Sequence, residues 1–139
     1  MPLPTPAQIT LVQSSWQRCL PIVDTAANLF YERLFTLDPS LRSLFPTEMA
    51  EQKKKLMTMI TAAVAGLNDL STLVPVVQNL GRRHVAYRVE VRHYPVVGQA
   101  LLDTLATGLG PAFTPETKEA WTVVYGVLAD TMISASSTK

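Results

Sequence analysis

Both histidines of this 139-residue chain, His84 and His93, fall in one stretch, NLGRRHVAYRVEVRHYPVVG, residues 79–98. Nine steps of about 100° along a continuous helix carry the second to the opposite face, so the two are not a neighbouring metal pair. His84 is judged alone. Two further polar residues interrupt apolar helical faces, Tyr31 in NLFYERLF and Gln52 in EQKKKLM. Gln52 precedes Leu56 by one turn, so a single helix face offers an amide and an apolar wall to a ligand. Each residue also has a purely structural explanation. A lone histidine is more often a satisfied structural residue, a tyrosine beside phenylalanines packs with its hydroxyl at the surface, and a glutamine before three lysines is solvated.

The elements that must hold these residues are helices. Apolar residues recur at a period of 3.6, as in Ile9, Val12, Trp16 and Leu20, or Leu56, Met59, Ile60 and Ala63. Thr5-Pro6, Asp38-Pro39 and Thr114-Pro115 each set a capping oxygen before a proline suited to a first helical turn. Gln8 stands at capping-box distance from Thr5. The pattern predicts an all-α domain with helices at about 6–20, 22–36, 39–44, 49–68, 72–88, 94–109 and 115–134. Pro75 is expected in a first turn, Gly108 and Gly110 around a helix end, and the polar tail 134–139 is expected to fray.

A chain of 15.3 kDa has the length of one domain. Twelve basic against eleven acidic residues leave a net charge of +1, which argues against a nucleic-acid partner. Cys19 is the single cysteine, so no intrachain disulfide or thiolate zinc cluster can form, and a reducing compartment, the cytoplasm, is expected. The start MPLPTPAQIT has no signal-peptide character, and the longest apolar run, residues 56–67, is too short to span a membrane.

Taken in order, Pro39 opening a short helix, Phe45 at its end, Gln52, and His84 thirty-two residues beyond resemble the pattern of a globin. The segments LFYERLF, SLF, QKKKLM, LGRRHVAYRVEVRHYPVVG and AWTVVYGV are similar in register to bacterial single-domain globins and to the globin module of flavohaemoglobins. The resemblance covers nearly the whole chain. It implies a globin fold of seven to eight helices, three over three, around a haem pocket, in one domain over residues 1–139. It also implies His84 as the proximal iron ligand, Tyr31 and Gln52 as distal donors, Leu56 as a distal wall and Phe45 as the haem-stacking ring. Arg82 and Arg83 are candidates for haem propionates or for plain surface. Met57, Met59, Leu101 and Leu102 are candidates for pocket wall or core. His93 is expected as a partly exposed structural histidine, and Trp16, Trp121 and Tyr125 as packing residues.

Neutral imidazole suits ferrous haem when its second nitrogen has an acceptor, for which the Leu80 carbonyl is the candidate. Tyr94 matches the tyrosine of the flavohaemoglobin proximal network, whereas the glutamate of that network falls at Ser136. No C-x-x-C-H signature is present, so the haem implied is non-covalent, haem b. Bound O₂ draws negative charge from iron, so donors at Tyr31 and Gln52 would retain it far better than CO. Three roles follow from the resemblance: reversible O₂ binding, nitric oxide dioxygenase with a separate reductase, or gas sensing. The chain is expected to lack the output domain that sensors carry. Outside the family, a helical bundle binding another protein through its grooves is the alternative.

Overall fold

The computed structural model describes residues 4–44, 49–86 and 93–137, without the side chains of 44, 84–86 and 136–137. Six α-helices follow one another: α1 (Pro6–Cys19), α2 (Val23–Leu37), α3 (Ala50–Ala65), α4 (Leu70–Ala86), α5 (His93–Leu109) and α6 (Pro115–Ser137). Short 3₁₀ turns occupy Leu20–Ile22, Pro39–Leu44, Gly66–Asn68 and Gly110–Ala112, and no strand occurs among the described residues. The helices stack as two layers, α1, α3 and α4 over α2, α5 and α6, in the all-α class expected from the sequence.

Local chemistry explains several boundaries. Thr5 and Gln8 form the expected capping box, the Thr5 hydroxyl accepting from the Gln8 N–H and the Gln8 side chain accepting from the Thr5 N–H. Asp38 accepts from the Ser40 N–H ahead of the 3₁₀ turn, and Thr114 accepts from the Thr117 N–H at the start of α6. α5 ends at Leu109, between Gly108 and Gly110 as expected. α6 runs to Ser137, so the first four residues of the polar tail are helical.

α4 begins earlier than its periodicity suggests. Asp69 caps it, accepting from the hydroxyls of Ser71 and Thr72, which hold its carboxyl below the usual value. The helix therefore starts at Leu70 and Pro75 lies in the second turn, not the first. A proline there leaves the Ser71 carbonyl without its helical N–H.

The core joins the layers. Val12, Leu34 and Leu105 are at most 2 % exposed. Trp16 and Trp121 meet edge to face, ring centroids 6.0 Å apart. The Trp16 N–H donates to Thr61 Oγ1 at 3.0 Å and the Trp121 N–H to Ser15 Oγ at 2.8 Å, so both indoles are buried without an orphaned donor. Gln13 donates to the Val64 carbonyl and to Asn68, tying α1 to the end of α3.

Candidate functional site

A cavity of about 250 Å³ opens between the two layers. α3 supplies one wall with a stripe of Gln52, Leu56, Met59, Ile60 and Ala63. These positions recur at helical spacing, which is why the amide and the apolar wall share one face as the sequence predicts. Facing them stand Tyr31 and Leu34 from α2, Val97 and Leu101 from α5, and Val124 and Leu128 from α6. Val77 and Leu80 bring α4 to the same space.

Tyr31 and Gln52, on different helices, meet here. Tyr31 is 4 % exposed, packed edge-on against Phe30 at 5.1 Å and tilted against Phe35 at 5.9 Å. Burial pushes its phenol up to about 12, while a side-chain hydrogen bond with Gln52 pulls the other way. The two polar groups thus stand side by side in a largely apolar lining.

Several expectations change. His93 is not partly exposed; it is 3 % exposed and lines the cavity. It opens α5, and Val97 and Leu101 follow at four-residue steps on the same wall, a spacing that could have revealed it. Tyr125 and Trp121 pack, as expected, but both also line the cavity. Tyr125 donates its hydroxyl to the Tyr94 carbonyl at 2.6 Å. Burial raises the phenols of both tyrosines, and each adds to the cavity wall. Gly98 makes room for this pair, since a Cβ there would lie 2.7 Å from Tyr125 Cε2. Lys55, one turn beyond Gln52 and exposed, reaches the rim and was not singled out in the sequence.

Met57 is buried in the core instead of on the cavity wall, because it sits about 100° round α3 from Leu56. Leu102 is likewise half-buried against the core, whereas Met59 and Leu101 do face the cavity. Arg82 and Arg83 are exposed on α4. His84 falls in the last turn of α4, and its side chain, like Phe45 as a whole, lies outside the described residues.

The family model described as Globin matches residues 28–132. A flavohemoprotein of Bacillus subtilis is 36 % identical over 115 residues, 79 % of this chain but 28 % of the relative. The chain thus spans less than a third of the length of that relative. Neuroglobin of Danio rerio is 34 % identical over 136 residues, covering 88 % of this chain and 86 % of neuroglobin. A bacterial globin structure from Campylobacter jejuni superposes with a TM-score of 0.79 at 29 % identity, over 96 % of each chain. A family model matched over most of the sequence, and a relative matched over most of its own length, make this chain a member of the globin family.

Proposed function

We propose that this chain binds haem b without a covalent link and uses it to bind O₂ reversibly with slow release. Membership in the globin family implies haem and gas binding. The cavity fits such a group: its walls are apolar on both layers, and Lys55 at the rim offers a cation to an acidic edge. His84 would supply, from α4, the imidazole that holds the iron, and Leu56 a distal wall. Haem brings ferrous iron, which takes up diatomic gases and shifts electron density onto O₂ much more than onto CO.

The observation that carries the reading is the meeting of Gln52 and Tyr31, from two different helices, inside an apolar cavity. A phenol O–H and an amide N–H side by side are both groups that can donate to a ligand with partial negative charge. One hydrogen bond to a charged acceptor contributes about 1.5–3 kcal/mol, roughly ten- to a hundredfold in a dissociation rate. Tyr31→Phe keeps the ring and removes the donor. O₂ dissociation is expected to accelerate by that factor while CO dissociation changes little; a stopped-flow O₂ off-rate within about twofold of wild type would refute the role given to Tyr31.

The flavohemoprotein relatives favour a second reading, nitric oxide dioxygenase. Converting NO and O₂ to nitrate consumes one electron per turnover, so a separate reductase would have to deliver it. Nitrate formed in step with NADH when a flavin reductase is added would support this role, and its absence would leave O₂ binding alone.

A further inference from the structure

Gly81 is buried in α4, and a Cβ built on it would come within 2.4 Å of the Met132 carbonyl oxygen, 2.6 Å of its Cα and 2.8 Å of its carbonyl carbon. All three are backbone atoms of α6, so no rotamer change relieves the clash. To reach ordinary contact, which begins at 3.4 Å, one helix has to shift by roughly 1 Å from its present 2.4 Å approach. Among the described residues α4 and α6 make the most extensive helix contact, and both line the cavity, α4 through Val77 and Leu80 and α6 through Leu128 and Met132. His84 follows Gly81 by three residues within the same unbroken helix, so a shift at Gly81 carries the His84 backbone with it.

We propose that Gly81 is a positioning residue for the proximal histidine: the bare backbone contact with Met132 sets where the His84 backbone sits relative to α6. This rests on the reading of His84 as the axial ligand. The test uses the full chain reconstituted with haem, reading the iron–imidazole stretch of the unliganded ferrous protein by resonance Raman and the rate of haem transfer to an excess of apomyoglobin. Gly81→Ala is expected to shift the stretch and speed haem loss about 10- to 100-fold, the range seen when support behind a metal ligand is removed. Gly126→Ala, whose methyl meets open space, is expected to change neither.

Free imidazole added to His84→Gly replaces the ligand by one detached from α4. In that background Gly81→Ala should no longer move the stretch. An equal shift there, or wild-type behaviour of Gly81→Ala with His84 present, would overturn the proposal. If His84→Gly alone keeps the wild-type ferrous spectrum, the axial assignment fails first and the proposal with it. Should Gly81→Ala not fold, the same spectra are read with Gly126→Ala added, which favours helix α6. A double variant that still does not fold overturns the proposal, because the contact then serves the fold and not the histidine.

Discussion

Burial raises the Tyr31 phenol to about 12, so it stays protonated at every physiological pH, and Gln52 stands beside it on the cavity wall. Gln52→Leu keeps the volume but deletes the amide. O₂ release is expected to quicken roughly two- to tenfold, less than for Tyr31→Phe, since a neutral hydrogen bond contributes about 0.5–1.5 kcal/mol. Ultraviolet titration of Gln52→Leu should place the Tyr31 phenol higher still, because the bond that lowers it is gone. The same phenol carries a pH dependence of stability. Its native value lies above the ordinary 10.0, so above pH 10 the unfolded chain releases this proton first. The native state then binds more protons, and stability falls as pH rises from 10 through about 12. At about 1.4 kcal/mol per unit the full loss is roughly 2–3 kcal/mol. Tyr31→Phe is expected to flatten the alkaline limb of denaturation midpoints measured from pH 9 to 12. That Gln52 and Leu56 share one helix face was legible in the sequence, because their four-residue spacing survives into the structure unchanged. The hydrogen bond between two helices was not, since helical period says nothing of how α2 and α3 approach each other.

Helix α4 shows where an element is misread. Asp69 and Ser71 are both capping residues by type, and the run Leu70-Ser71-Thr72-Leu73-Val74 places Pro75 in a first turn if the helix starts late. Asp69 wins because both its oxygens find hydroxyls, from Ser71 and Thr72. Asp69→Ala is expected to lower the thermal midpoint, and Asp69→Asn to restore most of it, since an amide oxygen still caps. The carboxyl sits below its ordinary 3.8. Its contribution is therefore present above that value and lost as pH falls through the lowered native one. The gap between wild type and Asp69→Ala should accordingly close in acid, which midpoints at pH 7 and below pH 3 would check. α5 was misread at one position for a different reason. His93 was expected just outside a helix starting at about residue 94, whereas the helix begins at His93 and turns it inward onto the wall carrying Val97 and Leu101.

Across the whole molecule, core and cavity share Trp121: its ring stands on the cavity wall while its N–H reaches Ser15 of α1. Tertiary pairings of this kind, 106 residues apart in sequence, depend on the docking of α1 on α6 and leave no periodic trace. Ser15 is 6 % exposed and passes its own proton to the Leu11 or Val12 carbonyl, so the indole donor has no water to turn to if the hydroxyl is removed. Ser15→Ala is expected to cost about 1–3 kcal/mol, the penalty of an orphaned buried donor. Trp121→Phe removes the donor from the other side, and Ser15→Ala should then cost much less in that background. Ser15 does not line the cavity, so haem should stabilise wild type and Ser15→Ala by equal increments, about 2.7 kcal/mol at a hundredfold excess over its dissociation constant. Guanidinium unfolding of all four variants, with and without haem, checks both statements. Additive losses in the double variant would mean that the Ser15 hydroxyl serves α1 and not the indole. A smaller haem increment in Ser15→Ala would mean instead that the anchor of Trp121 shapes the cavity itself, and core and site would then be one cooperative unit.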